Sequence, residues 1–387
     1  MRLFKKTNFP FMKYRWFFVG ASLTLVAASV AMVLVGPGLV MGIDFAGGTQ
    51  LTVKFQEEPD LGRVRAALES LRLGAVSIQR FDEVERHEFL VRLQNPKQEG
   101  DFTARMLEAL DREFNAATPG VRLNLQGMEA IRDELVMADP DRIGSTVDVR
   151  RTHYQPMAEA ILALRKERGI LASAADLRGL PALSAGVQQY LAEKGRFGAF
   201  SLLAADNVGP LVGKDLRNKA MQAVGFSLVG MLVYIWFRFR FAYGIGAVVA
   251  LFHDVLITLG ALSLTGREIN LPTIAALLTL VGYSVNDTVV IFDRIRERLK
   301  LDRGKSLADT MDLAINQTLS RTVITSGLTL ITVVCLYLFG GDVINTFAFV
   351  LVVGIVVGTY SSIYIASPIA FAISTVLERR REARRRR

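Results

Sequence analysis

The sequence predicts an α-helical membrane protein with six membrane-spanning helices and one folded α/β domain between the first and second helices. Two observations predict this fold class. The 387 residues are 51% hydrophobic and only 21% charged, with a mean hydropathy of +0.32, which is too apolar for an ordinary soluble domain of this size. The apolar residues are also concentrated in six segments, and a long polar stretch separates the first segment from the other five.

Each of the six apolar segments is long enough to cross a bilayer core of ~30 Å. The first has no charged residue and follows a basic stretch. Because the apolar region of a cleaved signal peptide spans only about 7 to 15 residues, we expect an uncleaved helix here. The predicted organisation is an N-terminus (1–15), a first span (16–35), the polar domain (38–219), four further spans (220–237, 241–266, 269–292 and 322–341) with a loop carrying an amphipathic helix (293–321), a sixth span (343–372) and a basic tail (373–387).

Basic residues in short loops and tails indicate the orientation, because Lys and Arg are retained in the cytoplasm. Arg238 and Arg240 lie between the second and third spans, six Lys or Arg residues occur in 294–305, and arginines dominate the tail. Both termini are therefore predicted to be cytoplasmic, and residues 38–219 extracytoplasmic.

The polar stretch has the pattern of a folded α/β domain. Leu51, Val53 and Phe55 alternate with polar residues, as in a half-buried strand, and segments 75–81 and 89–93 are similar. Segments 59–73 and 101–116 have helical spacing, which together favours a ferredoxin-like, split βαβ sandwich. From about 127 to 204 the pattern predicts helices without strands, a helical insertion whose role the sequence does not indicate.

The charge distribution argues against nucleic acid as a partner. The net charge is +9, but residues 42–219 carry 24 basic and 26 acidic side chains. The positive surplus therefore lies beside the apolar segments, where membrane lipid attracts it. A single cysteine, Cys335, and three histidines exclude a disulfide framework and the usual metal cages. Without a phosphate-binding loop or nucleophile elbow, we expect no cofactor, no metal and no enzyme activity.

Asp287 is the most informative polar residue. It lies in the fourth span between Asn286 and Thr288, about five residues from the last apolar residue of that span, Phe292. An ionisable side chain in a membrane helix costs roughly 2.5 to 3.5 kcal/mol, so it usually faces protein or a water path. We expect a carboxylate that carries protons; the alternative is a carboxylate that reaches interfacial water.

Two further polar groups accompany Asp287. His253 and Asp254, in the third span, either take part in proton transfer or hold neighbouring helices together by hydrogen bonds. Arg321 begins the fifth span, close to Thr325, and alone would be an interfacial anchor. If the fourth and fifth spans are adjacent, Arg321 and Asp287 lie at similar depth, and movement of the guanidinium would switch proton uptake and release.

Three stretches resemble the SecF family of protein-export membrane subunits. One is Gly-Ile-Asp-Phe-Ala-Gly-Gly-Thr at 42–49, whose signature positions are Gly42, Asp44, Gly47 and Gly48. Another is Val-Gly-Pro-Leu-Val-Gly-Lys-Asp-Leu at 208–216. The third runs from 270 to 297 through Gly-Tyr-Ser-Val-Asn-Asp-Thr, with Leu-Phe-His-Asp upstream and Ser-Arg-Thr downstream.

The resemblance implies a function that periodicity alone does not. It implies one half of a twelve-span unit, related to the resistance-nodulation-division (RND) exporters, that pairs with SecD beside the SecYEG channel. It implies a multi-pass protein of the bacterial inner membrane that uses the proton motive force to promote preprotein translocation, with protons as coupling ion and with Asp287 and Arg321 on the proton path. The polar domain departs from the family pattern by roughly 80 extra residues. The alternatives are half of a solute exporter of the same superfamily, or a non-transporting scaffold of the translocon.

Overall fold

The computed structural model describes residues 7–80, 86–94, 100–115, 120–239, 241–302 and 304–385. It divides into a membrane unit, residues 1–42 and 216–387, and an α/β domain, residues 43–215. The predictions that concern Arg240, Arg303, the last two arginines of the tail and the final residues of segments 75–81 and 101–116 lie outside the described residues.

The secondary structure alternates between short elements in the α/β domain and long helices in the membrane unit. In chain order the elements are α1 (Arg15–Leu34), β1 (Val40–Met41), α2 (Ile43–Ala46), β2 (Gly48–Phe55), α3 (Leu61–Glu69), β3 (Ala75–Arg80), β4 (Glu88–Gln94), α4 (Thr103–Phe114), β5 (Val121–Arg122), α5 (Met128–Ala138), α6 (Val147–Arg168), α7 (Ala185–Lys194), β6 (Gly195–Arg196), β7 (Phe200–Val208), α8 (Pro210–Arg238), α9 (Phe241–Thr265), β8 (Glu268–Ile269), α10 (Leu271–Leu301), α11 (Leu307–Phe339), α12 (Asp342–Ser361) and α13 (Ser367–Arg385).

Six helical stretches among the described residues are long and apolar enough to cross a membrane, which confirms the predicted number of spans. They are α1, α8, α9, α10, α11 and the stretch Ile344–Arg380. Several helices are longer than predicted. Helix α8 begins at Pro210 rather than 220, and α10 continues to Leu301 rather than ending at 292. Hydropathy marks the apolar part of a helix, whereas backbone hydrogen bonds continue into its polar ends.

The amphipathic segment of loop 293–321 differs from the prediction. Ser306 caps its start by accepting a hydrogen bond from the Asp309 amide. The helix then runs without a break into the fifth span. Met311, Ala314 and Ile315 are fully buried in the core of the membrane unit, so the apolar face packs against protein rather than lying on the membrane surface.

The sixth span contains one wide helical turn. Residues Ser362–Ala366 form a π-helical turn between α12 and α13. Pro368 lies two residues beyond its end; proline has no N–H group and its ring excludes the carbonyl four residues earlier, so a regular α-helical turn is disfavoured. The Ser367 hydroxyl donates to the Ser362 carbonyl instead, at 3.0 Å. The helix then continues to Arg385, through most of the predicted tail.

Glycines allow the membrane helices to approach closely. A Cβ atom added at Gly354 would lie 2.3 Å from a methyl carbon of Leu280, and one at Gly260 would lie 2.4 Å from the Ser29 side chain. Gly354 and Gly358 on α12 are the GxxxG pair that the sequence indicates as a helix-packing signal. In this structure they place α12 directly against α10.

The sheet of the α/β domain has the strand order β3-β4-β2-β7, and all neighbouring strands are antiparallel. Leu51, Val53 and Phe55 on β2 face the core, as their alternation predicts, and α3 and α4 cover this face with apolar residues such as Val64 and Met106. On the opposite face Arg92 donates hydrogen bonds to Gln50 and Gln79 of the two flanking strands.

The helical insertion is shorter than predicted. Helices α5, α6 and α7 form a second core, but residues 200–204 belong to β7, an edge strand of the main sheet. The prediction is wrong at this point because β7 exposes Ala204, Ala205 and Asp206 and therefore lacks an alternating apolar pattern. The short strand β6 also lies in the predicted insertion and pairs in parallel with β5.

Candidate functional site in the membrane helices

Asp287 is buried inside the membrane unit. Its side chain is on α10 and the residue is 3% exposed. Ser326 on α11 donates a hydrogen bond to Oδ2 of Asp287 at 2.8 Å. The carboxylate thus faces another helix rather than the outside of the bundle, which makes it accessible only through the protein interior.

Arg321 is close enough to Asp287 to act on it electrostatically. The two side chains, both in the described part of the chain, do not form a salt bridge in this structure. Helices α10 and α11 are adjacent, as the pairing hypothesis requires, but Ser326 occupies the direct contact. Arg321 is exposed, so a direct pair requires the guanidinium to move toward the carboxylate.

The other predicted residues of the fourth and fifth spans contribute differently. Thr288 is buried and donates to the Ser284 carbonyl of its own helix. Thr325 is exposed and donates to backbone carbonyls of α11. Asn286 is exposed and lines a cavity of about 320 Å³ between α8 and α10. Of these three residues, only Thr288 is buried with Asp287.

His253 and Asp254 form a second buried polar cluster. Asp254 is fully buried, and its Oδ1 lies 2.8 Å from Nδ1 of His253. Its Oδ2 accepts hydrogen bonds from Ser284 on α10 and from Ser361 on α12, the latter at 2.8 Å. The cluster therefore ties three helices together, and the structural role considered for this pair has a geometric basis.

Sequence reasoning missed the serines that contact the two carboxylates: Ser284, Ser326 and Ser361. Hydroxyl groups are common in membrane helices because they can bond to their own backbone, so composition alone does not single them out. The available signal was spacing, since Ser284 precedes Asp287 by three residues and therefore shares its helix face.

The two family signatures near the α/β domain contact each other. Gly47 has φ +71°, and a Cβ atom there would lie 2.9 Å from the Cα atom of Pro210. A Cβ at Gly213 would lie 3.0 Å from the Gly47 nitrogen. Residues 47–48 and 208–213, about 160 positions apart in sequence, therefore interlock through backbone atoms. Only glycine fits at Gly47, where both the φ angle and the space exclude a side chain.

The remaining signature residues are placed on both sides of the division between the two units. The Gly42 amide donates to the Ile269 carbonyl at 2.9 Å and extends the parallel pairing of β1 with β8. Asp44 lies in the first turn of the short helix α2. Gly48, with φ +138°, begins β2. The signature thus shapes the backbone rather than presenting a row of reactive side chains.

A metal site of the usual kind is not found in the described part of the chain, where no group of three or more His, Cys, Asp or Glu side chains is arranged to hold an ion. Among its described residues, the bundle offers two buried carboxylates, one buried imidazole and several hydroxyls. These groups bind and release protons or hold helices together.

Six membrane-capable helices, buried acidic groups and an α/β domain inserted after the first span define a polytopic membrane protein of the kind found among transport machineries. The model of the C-terminal region of the protein export membrane proteins SecD/SecF matches residues 187–376, and the model of the SecD/SecF GG motif matches residues 33–58. The chain belongs to the SecF family of protein translocase subunits.

Relatives match over nearly the whole chain. The SecF protein translocase subunit of Koribacter versatilis is 44% identical over 96% of this chain and 93% of its own length, and that of Calditerrivibrio nitroreducens is 37% identical over 96% of both chains. Among solved structures, SecDF of Thermus thermophilus, a translocon-associated membrane protein, is 31% identical with a TM-score of 0.66; the match covers 95% of this chain. This chain spans only 39% of that SecDF chain.

Proposed function

We propose that this protein uses the proton motive force, together with a SecD partner, to promote translocation of preproteins across the bacterial inner membrane. The observation that carries the proposal is Asp287, a carboxylate buried in a membrane helix with one hydrogen bond from Ser326 and with Arg321 nearby but not paired. A buried acid with a movable cation beside it can alternate between protonated and ionised states.

The free energy available from the membrane potential is large enough to drive a conformational change coupled to proton movement. One charge that moves through the membrane potential contributes ~2.3 kcal/mol per 100 mV. Conformational equilibria of a few kcal/mol respond to contributions of this size. The exposed position of Arg321 and the buried position of Asp287 support a cycle in which the guanidinium approaches the carboxylate after its proton has left.

The relatives support the choice of partner. This chain matches about two fifths of the SecDF chain, so most of that translocon-associated protein lies outside the match. We infer that SecD supplies the other half of a twelve-span unit of RND type, and that this unit works beside the SecYEG channel. The basic residues of the loops and of α13 support cytoplasmic termini in contact with anionic lipid. With this orientation the α/β domain is extracytoplasmic.

We also infer that the α/β domain is ferredoxin-like. Its elements follow the order β2-α3-β3-β4-α4-β7, and the strand order β3-β4-β2-β7 is that of a split βαβ arrangement. The segment from β5 to β6 interrupts this pattern between α4 and β7. This accounts for a domain larger than the family pattern implies.

The test uses the full chain co-purified with SecD and reconstituted in vesicles. Asp287→Asn is expected to reduce proton flux, and preprotein translocation that depends on a proton gradient, at least tenfold. Asp293→Asn is the matched control, because Asp293 lies six residues further along α10 and pairs with Arg238. Proton flux in Asp287→Asn equal to that of the unsubstituted protein would remove Asp287 from the path and leave the scaffold alternative.

The solute-exporter alternative makes a different prediction for the same vesicles. An exporter half would move small molecules against a gradient without preprotein. Flux that requires or responds to preprotein supports the export role. Flux that responds only to a small solute contradicts it.

A further inference from the structure

The cluster around Asp254 is as deeply buried as Asp287, yet it has a feature that a purely structural cluster does not need. His253 is 6% exposed, and its Nε2 atom is buried without a hydrogen-bond partner among the described groups. Buried polar atoms are nearly always satisfied, so an unpaired imidazole nitrogen in a membrane helix marks a position where a proton or a water molecule can bind.

The geometry orients the imidazole. Its Nδ1 faces Oδ1 of Asp254, while its ring stacks on Tyr360, with ring centroids 6.3 Å apart. The Tyr360 hydroxyl is engaged elsewhere, because it donates to the Phe18 carbonyl and lies 2.9 Å from the Ser22 hydroxyl. With Nδ1 protonated toward the carboxylate, Nε2 carries the free lone pair that accepts a further proton.

Helix α10 connects this cluster to Asp287. Ser284 donates to Oδ2 of Asp254 and lies three residues before Asp287, on the same face and about 4.5 Å along the helix axis. Gly358 permits this contact, since a Cβ atom there would lie 3.2 Å from Cβ of Ser284 and 3.5 Å from Oδ2 of Asp254. His253, Asp254 and Ser284 are therefore in direct contact, and Asp287 lies just under one turn further along α10.

We propose that His253 and Asp254 form a second proton-binding site, in series with Asp287, through which protons reach or leave the Asp287 carboxylate. This inference rests on the proposed proton-driven function. A proton from water binds to Nε2 of His253, the proton on Nδ1 passes to Oδ1 of Asp254, and the protonated Asp254 carboxyl group then gives up one proton, which the Ser284 hydroxyl passes on toward Asp287. The imidazole is left with its proton on Nε2, so its ring must turn to restore the Nδ1–H form before the next proton binds. After that reset the net change is the movement of one H⁺.

Few other charged or titratable groups lie on the elements packed against this site. Tyr360 on α12 stacks on His253, Tyr364 on the π-helical turn stacks on Tyr360, and α10 contributes Asp287. Helix α1 carries only Arg15, at its first residue. The charged residues of α13 begin at Glu378, twelve residues beyond the π-helical turn.

The test measures proton flux, and its dependence on pH, in vesicles that contain the full chain with SecD. Asp254→Asn and His253→Gln are each expected to lower flux at least tenfold, without a loss of thermal stability or of SecD co-purification. His253→Gln should also remove one transition from the dependence of proton flux on pH. Thr258→Ala is the matched control, because Thr258 is buried on the same helix and donates to the main-chain carbonyl of Asp254, not to its carboxylate; its flux should not change.

A second measurement does not depend on flux. Infrared difference spectra of the complex should show two protonated-carboxyl bands, one lost in Asp254→Asn and the other in Asp287→Asn. If Asp287→Asn blocks flux while Asp254→Asn and His253→Gln behave like the unsubstituted protein, this inference fails and the proposed function stands. If Asp287→Asn leaves flux unchanged, the proposed function itself fails. Loss of flux only together with loss of thermal stability would assign His253 and Asp254 a structural role and overturn the inference.

Discussion

Ser326 on α11 donates a hydrogen bond of 2.8 Å to Asp287 on α10, and both residues are at least 95% buried. This bond is the direct polar contact of the Asp287 carboxylate with a neighbouring helix. It links the acid to the same helix that carries Arg321, five residues earlier. Movement of α11 therefore changes the hydrogen bonding of Asp287 and its distance from Arg321 together.

Replacement of Ser326 by alanine should weaken this link. The substitution leaves a buried carboxylate without its hydroxyl donor, at a cost of about 1–3 kcal/mol. We expect Ser326→Ala to lower the thermal unfolding temperature of the full chain in detergent. Thr332→Ala is the control, because Thr332 is exposed on the same helix and donates only to the Leu328 carbonyl. Equal unfolding temperatures for the two variants would contradict this role of Ser326.

The interlocked glycines should be similarly sensitive. Gly47→Ala places a side chain at positive φ and against the Pro210 backbone. The φ angle alone costs roughly 1–2 kcal/mol, and the clash with Pro210 adds to it. Gly209 belongs to the same motif, but a Cβ there would meet only a methyl group at 4.0 Å. We expect Gly47→Ala to reduce the yield of folded protein and its unfolding temperature, and Gly209→Ala to change neither. A Gly47→Ala variant as stable as the unsubstituted protein would contradict this prediction, because it would show that the backbone segments at Gly47 and Pro210 can move apart without loss of stability.

The parts of this molecule that the sequence predicted are those governed by hydrophobicity. The six spans follow from apolar length, and the core face of β2 follows from the alternation of Leu51, Val53 and Phe55. Asp287 stood out because a charge in an apolar helix is expensive. Its hydrogen-bond donor Ser326 did not stand out in the sequence. Ser326 reaches Asp287 only because α11 packs against α10, and a hydroxyl group in lipid carries no penalty comparable to that of a charge.

The edge strand β7, in contrast, is an element that the hydrophobic pattern did not predict. Phe200 is buried against Phe55, but the four consecutive residues from Ala204 to Asn207 are exposed. Without alternation, local sequence did not distinguish this strand from the helices before it. Only pairing with β2, some 150 residues away in the chain, defines it.

The insertion should respond to acid through Asp139. Hydrogen bonds from the amides of Gly144 and Ile143 lower the pKa of this carboxyl below its ordinary value. The folded state therefore favours the ionised form, and the resulting stabilisation is present above the pKa of the unfolded chain, about 3.9. It is lost as the pH falls through the lower pKa of the folded state.

Asp139→Asn should remove this stabilisation at neutral pH. The expected result is faster hydrogen exchange of the Ile143 and Gly144 amides at pH 7 in the full chain. Once rates are corrected for intrinsic exchange, the difference from the unsubstituted protein should shrink as the pH falls below about 3.9 and vanish below the lower pKa of the folded state. The control is Asp206→Asn, which alters an exposed carboxylate on β7. A difference between Asp139→Asn and the unsubstituted protein that persists below that pH would contradict the assignment to ionisation.

Asn124 should be essential for joining the insertion to the sheet. The residue is 1% exposed. Its amide nitrogen donates to the Leu171 and Phe197 carbonyls at 2.9 and 2.7 Å, and its oxygen accepts from the Leu171 amide at 3.0 Å. The Asn124 carbonyl in turn accepts from the Leu202 amide of β7. One side chain and one backbone group thus connect three segments.

Asn124→Ala leaves three buried backbone groups unpaired, so we expect at least about 2 kcal/mol of destabilisation. Asn124→Asp is more informative, because it keeps the size of the side chain but turns a carboxylate oxygen toward two carbonyl oxygens. At neutral pH its unfolding temperature should fall below that of Asn124→Ala, a reversal of the order expected if side-chain volume alone mattered. Gln155→Ala serves as control, since Gln155 is only partly buried and its side chain bonds Glu159 on its own helix. Thermal unfolding of the full chain, together with proteolysis of the 127–199 segment, measures the stability of both variants. An Asn124→Asp variant more stable than Asn124→Ala would show that side-chain volume, and not the direction of these hydrogen bonds, holds the insertion in place.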